Sequence, residues 1–355
     1  TPSANTEPTC APPGATSSEL SNVTRPNILI VAPAWIGDMV MAHCLVQVLS
    51  TRHQGIEVHM LAPRATAPLA ARMPGVSETH VLSVGHGELA LGERRRVGRS
   101  LAGRYDQAIV LPNSFKSALV PWWAGVSIRT GWQGELRVGV LNDRRRLNEA
   151  RYPRMVDRFI ALGLDPEAAL PQTPPVPVLH ADPENVERLI AARRLSVAGG
   201  VTALCPGAEY GPAKRWPPAQ FAEVARYATA QGQQVWLLGS VQDAKVCAEI
   251  EDRVPTGIVN LAGRTTLLEA LDLLSQADRV VTNDSGLMHV ACALGRKVVA
   301  VFGSPSERFP PPLGENAHVV RDHLDCSPCF QRECPLGHLR CLTDLAPGRV
   351  IELLQ

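Results

Sequence analysis

The chain has 355 residues, 45% hydrophobic and 19% charged, with a formal net charge of +1. That composition is expected of a soluble globular protein with room for two ordinary domains. No apolar run is long enough to span a membrane, and the near-neutral balance is a poor electrostatic footprint for nucleic acid.

Residues 1–25, made largely of Thr, Ser, Pro, Ala and Glu, are expected to form a disordered leader. They lack the charged start and apolar core of a secretory signal. Residues 27–32 are a short, wholly apolar run, as in a buried parallel strand. Residues 33–37 form a loop, and a helix opens at Asp38 with Met39, Val40, Leu45, Val46 and Leu49 as its apolar positions. Further strands are predicted at 57–61, 80–82, 107–111 and 126–129, with a helix from about Ser114. Six prolines between 166 and 183 break both periodicities and mark a linker. The pattern then restarts, with strands at 201–205, 234–238, 279–282 and 297–302. Helices are predicted at 219–230, 244–253 and 267–275. Strand and helix alternate throughout, which predicts an α/β class with doubly wound parallel sheets. The domains are residues 26–165 and 184–355, joined by 166–183, with a cleft between the carboxyl ends of their strands.

The charge is uneven. Residues 26–165 hold 17 Lys and Arg against 11 Asp and Glu, whereas residues 166–355 hold 17 against 21. The triplets Arg94, Arg95, Arg96 and Arg144, Arg145, Arg146 suit an anionic surface such as a membrane or phosphorylated lipid; a solvated basic face is the plainer alternative.

Four turns carry the chemistry. Ala34, Trp35, Ile36, Gly37 and Asp38 follow the first strand without the G-x-G-x-x-G of a dinucleotide fold, which disfavours a nicotinamide or flavin. Asp38 is placed to take a proton from a hydroxyl, or to cap its helix. Residues 206–217 read PGAEYGPAKRWP. Gly207 and Ala208 admit close backbone approach, and Lys214 and Arg215 can neutralise phosphate oxygens. After the next strand, Ser240 and Asp243 suit ribose hydroxyls or a helix cap, and Thr265 lies in a loop that could reach the base. Last, Asn283, Asp284, Ser285 and Gly286 turn a strand into a helix. A helix starting there aims unpaired N–H groups and a positive dipole end at a phosphate. Asp284 could accept sugar hydroxyls.

Nine cysteines are present. Without a secretory signal a disulfide framework is not expected. Four of them, Cys326-x2-Cys329-x4-Cys334-x6-Cys341 with His338 close by, have a spacing that could hold structural zinc or could simply pack a turn as reduced thiols.

Gly37-Asp38, PGAEYGPAKRWP and NDSGLMH together resemble the ADP-heptose:lipopolysaccharide heptosyltransferases of glycosyltransferase family 9. LPNSFKS at 111–117 and Arg129-Thr130-Gly131 add to the likeness, which runs from about Pro26 to the C-terminus. The resemblance implies a two-domain GT-B fold and an inverting transfer. It implies ADP-heptose as donor and the first heptose of the lipopolysaccharide inner core (heptosyl-Kdo-lipid A) as acceptor. Transfer to the heptose-free core, or another ADP-heptose-dependent transfer, is the alternative. Asp38 would be the base, and Lys214 would bind the diphosphate with the backbone of Ser285, Gly286 and Leu287. Asp284, with His289 nearby, would hold the donor heptose. Gly207, Ala208, Arg215, Ser240, Asp243 and Thr265 would complete the donor side. Trp35, Asn113, Ser114, Lys116 and Arg129 would face the acceptor. An inverting transfer needs one base and no enzyme nucleophile. No Asp-x-Asp pair stands in a suitable loop, so no cofactor or catalytic metal is expected. The implied setting is a cytoplasmic monomer in peripheral contact with the inner membrane. A nucleotide-sugar epimerase and a silent nucleotide-binding or zinc-scaffold protein are the rivals.

Overall fold

The computed structural model describes residues 26–85, 87–306, 309 and 312–355; the expected leader at 1–25 lies outside them. Six strands form the first sheet: β1 (Asn27–Val31), β2 (Glu57–Pro63), β3 (Val76–Leu82), β4 (Gln107–Val110), β5 (Ile128–Trp132) and β6 (Asp143–Arg145). All pairings are parallel, in the order β3-β2-β1-β4-β5-β6. The second sheet holds β7 (Val201–Cys205), β8 (Gln234–Leu237), β9 (Ile258–Asn260), β10 (Arg279–Asn283), β11 (Lys297–Phe302) and β12 (Ala317–Arg321). Its order, β12-β11-β10-β7-β8-β9, repeats the first when strands are numbered from β7. Each sheet is therefore a doubly wound Rossmann-like unit, with switch points between β1 and β4 and between β7 and β10.

The apolar runs became central strands because both faces are covered: Ile28, Leu29, Ile30 and Val31 are buried, as are Val298 to Phe302. Polar strands lie at the sheet edges. β3 reads VSETHVL and starts at Val76, well before the expected His80. β6, made of Asp143, Arg144 and Arg145, was not expected at all.

The helices of the first half are α1 (Ile36–Arg52), α2 (Ala67–Ala70), α3 (Leu91–Ser100), α4 (Leu119–Trp123) and α5 (Met155–Leu162). Those of the second are α6 (Pro183–Arg193), α7 (Pro218–Ala230), α8 (Ala244–Glu251), α9 (Leu267–Leu274), α10 (Gly286–Ala293), α11 (Arg340–Thr343) and α12 (Pro347–Leu354). α1 is buried nearly all round, from Met39 to Leu49, because it packs on its own sheet, on α5 and on α10 of the other unit.

One arginine of each basic triplet is structural, while the others are exposed. Arg94 is buried and donates to the Glu88 and Leu89 carbonyls. Arg145 donates to the Ala161 and Leu164 carbonyls at the end of α5 and pairs with Asp143 at 2.8 Å.

The proline-rich segment has no regular structure before α6, but it is tied down. Cys44 Sγ donates to the Pro175 carbonyl, Gln47 Nε2 to that of Val176, and the Val178 N–H to His43 Nδ1. Pro183, expected within the linker, is the first residue of α6, behind the N-cap Asp182. The two halves are also clamped by charge. Asp272 of α9 is fully buried and accepts from Arg72 Nη2 at 3.3 Å, Asn185 Nδ2 at 2.6 Å and the Asp182 N–H at 2.9 Å. Removing one partner of a buried pair strands the other. Asp272→Ala is expected to lower stability by about 3–5 kcal/mol in denaturant titration, and an unchanged midpoint would contradict the clamp.

Candidate active site between the two units

The switch point of the second sheet sets the site. β7 leads into residues 206–217 and β10 into the turn before α10. Buried Asn283 ties these segments together, donating from Nδ2 to the Pro206 carbonyl (2.7 Å) and accepting the Trp216 N–H at Oδ1 (3.1 Å). Trp216 anchors the far end of the loop. It is fully buried, edge-on to Phe221, and donates Nε1–H to the Leu345 carbonyl. Sequence reasoning quoted Asn283 but gave it no role.

These elements enclose a pocket of about 230 Å³ lined by Gly207, Ala208, Ser240, Asp243, Thr265, Ser285, Gly286 and Leu287, with Ile36 reaching in from the first unit. A Cβ on Gly207 would lie 2.3–2.5 Å from the Asp243 carboxyl, so only glycine fits. Asp243 Oδ2 accepts both the Ser240 N–H and its hydroxyl at 2.8 Å. Its capping function is thus realised, and only part of the carboxylate is left to face the pocket. The Thr265 hydroxyl is buried with no partner among the described residues, as suits a group awaiting a ligand.

Two helix N-termini meet at this pocket. α10 starts at Gly286 behind Ser285, whose side chain caps nothing; its Oγ lies 3.2 Å from Thr282 Oγ1. The first-turn N–H groups and the dipole therefore face outward. α1 starts at Ile36 behind Trp35, so Asp38 is a first-turn residue and not the expected cap. The helices interlock through glycines. A Cβ on Gly37 would sit 2.7 Å from His289 Cδ2, and one on Gly286 would sit 2.7 Å from Ile36 Cβ.

The charges follow from this packing. Burial raises the Asp38 carboxyl to about 6, against the opposing effect of Lys214. Burial pushes His289 down to about 4, so the ring is neutral at pH 7. Lys214 Nζ lies 2.5 Å from Asp284 Oδ2 and 4.6 Å from the centre of the Tyr210 ring.

The remaining expected residues divide. Asp284 and Lys214 form a pair beside the pocket wall, and His289 packs beneath Gly37. Arg215 is exposed and does not itself line the pocket, but it donates from Nε to the carbonyl of Ala208, which does. Arg129 is corrected. It pairs in register with Ala108 near the start of β5, at the opposite end of the sheet from the cleft. Its guanidinium is used by the Val126 and Val140 carbonyls. Asn113, Ser114 and Lys116 do follow the carboxyl end of β4, beside β1 and the exposed Trp35. Sequence reasoning missed buried Arg137, which holds this segment through the Pro112 and Trp132 carbonyls. Burial lowers its guanidinium to about 10.

The family model of glycosyltransferase family 9 (heptosyltransferase) matches residues 94–340. Lipopolysaccharide heptosyltransferase 2 of Escherichia coli K12 is 42% identical over 92% of this chain and 97% of its own. Lipooligosaccharide heptosyltransferase 2 of Haemophilus influenzae is 42% identical over 83% and 88%. The solved structure of Escherichia coli ADP-heptose lipopolysaccharide heptosyltransferase II superposes with a TM-score of 0.83 at 41% identity, covering 92% of this chain and 97% of that one. With its paired Rossmann-like units and the pocket at their junction, the chain belongs to glycosyltransferase family 9, the heptosyltransferases.

Proposed function

We propose that this enzyme is an inverting transferase that moves L-glycero-D-manno-heptose from ADP-heptose to the first heptose of the lipopolysaccharide inner core, releasing ADP. The names of its relatives support the donor and acceptor. The observation that carries the chemistry is Asp38, raised to about 6 and set at the meeting point of two helix N-termini with Lys214 close enough to be felt.

In this reading Asp38 takes the proton of the acceptor hydroxyl as its oxygen attacks the anomeric carbon. The bond from that carbon to the diphosphate breaks, and the electron pair leaves with ADP. Negative charge grows on the diphosphate, where the first turn of α10 and Lys214 are placed to stabilise it. Thr265 and Asp243 face the nucleoside side. The reading gives no cofactor a step.

The acceptor is lipid-linked. No helix among the described residues is long and apolar enough to cross a membrane. We place the enzyme as a monomer on the cytoplasmic face of the inner membrane. The loop after β5 supports that placement: Leu136 is 86% and Val138 68% exposed, and Gly134 of the same loop abuts the Asn113 carbonyl.

Two outcomes test the proposal. Asp38→Asn is expected to lower kcat/KM by about 10²–10⁴-fold. The wild-type profile should fall below pH 6, because the base must be ionised. The carboxyl is raised above its ordinary 3.8, so its burial destabilises the fold progressively as pH rises from 4 to 6 and fully above that. The same variant should therefore gain about 3 kcal/mol at pH 7.5 and nothing at pH 3. Full activity in the variant would remove Asp38 from the reaction. Second, purified core bearing one heptose should accept a second, while heptose-free core should not. The reverse preference would reassign the acceptor.

A further inference from the structure

Residues 322–339, between β12 and α11, form no helix or strand. Structureless stretches of this length are uncommon in compact domains and need something to hold them. Cys326, Cys329 and Cys334 lie in this stretch and Cys341 in α11, none joined in a disulfide. All four line one small cavity of about 20 Å³, together with His338 and Ser304. That volume admits a single small ion or water. The Ser304 hydroxyl is 1% exposed at the residue level and has no partner among the described residues.

The cavity wall presents four thiols and one imidazole, a soft donor set of the kind that holds zinc.

The same stretch holds the diphosphate loop. The Arg332 carbonyl accepts the Ala213 N–H (3.1 Å), and the Ala213 carbonyl accepts the Ser304 N–H (3.1 Å). The Ser304 carbonyl in turn accepts from Cys329 and Phe330 (2.9 Å each), and Tyr210 donates its hydroxyl to the Phe330 carbonyl. Lys214 is the next residue along.

We propose that Cys326, Cys329, Cys334 and Cys341 form a closed structural site for one zinc ion, which fixes the loop carrying Lys214. Tetrahedral zinc–thiolate bonds of ~2.3 Å set the sulfurs ~3.8 Å apart. Among the described residues, only His59, Glu78 and His80 already bring three ligand atoms within 4.8 Å, so the thiols must rotate inward on binding. That other cluster is satisfied without metal: Tyr105 hydroxyl bonds both imidazoles, and Arg104 holds Glu78.

The test uses the full chain purified under reducing conditions without chelator. Elemental analysis should find about one zinc per chain. Cobalt(II) exchanged into the site should give a thiolate charge-transfer band, absent in Cys326→Ser/Cys334→Ser. Metal-free or iron-loaded protein without that band on cobalt addition would overturn the proposal, as would an intact band in the double variant. These readouts do not depend on the proposed reaction. In the arm that does, stripping the zinc should raise KM for ADP-heptose several-fold and leave the acid limb near pH 6 in place. An unchanged KM and melting temperature would overturn the link to Lys214.

Discussion

The first turns of α1 and α10 press against each other through two glycines, each receiving a side chain from the opposite helix. The contact joins the carboxyl ends of β1 and β10, and so joins the two units where each can offer a helix N-terminus. Burial around it also shapes the site's electrostatics. Asp38, in the first turn of α1, loses water on burial, which raises its carboxyl into the range useful for a base at neutral pH. His289, buried on α10 against Gly37 of α1, stays neutral, so it adds shape to the contact without adding a further positive charge.

The pair of Lys214 and Asp284 is the second element of the design. Their side chains are only 14% and 4% exposed. A buried ion pair is weak evidence for stability, since desolvation offsets much of the attraction. Its value here is positional. The ammonium is held over Tyr210 and beside the start of α10, already desolvated, where the proposed reaction develops its charge. Asn283 and Trp216 fix the loop from below, and the cysteine-bearing stretch fixes it from above.

The sequence was legible where burial on both faces demanded unbroken apolar runs. β1, β2, β7, β8, β10 and β11 could be read directly, as could the helix opening at Gly286. Of the edge strands, only the last three residues of β3 were read, and β6, β9 and β12 escaped, because edge strands are short or meet solvent or charged neighbours on one face and no long apolar run survives. Short charged helices such as α3 escaped because their stability comes from tertiary packing. Position along a strand was harder than its existence. With β5 expected at 126–129, Arg129 fell at its cleft end; the strand in fact runs on to Trp132, which puts Arg129 at the opposite end. Within the site, residue types marked the turn before α10 as a candidate for anion binding, and the helix does open there. Tertiary partners could not be read: nothing local reveals that Arg215 turns back to Ala208, or that Arg137 is buried against Pro112 and Ser117.

The glycine-mediated contact brings Asp38, the proposed base, to the pocket proposed for the donor. The most direct measurement is a double-mutant cycle on Gly37→Ala and His289→Ala, reading ADP-heptose turnover and ADP affinity in parallel. The account predicts that Gly37→Ala cuts turnover at least tenfold while ADP affinity, set mainly by the second unit, changes less than about threefold; adding His289→Ala should restore part of the loss through their coupling. Additive losses, or an unaffected turnover in Gly37→Ala, would contradict it.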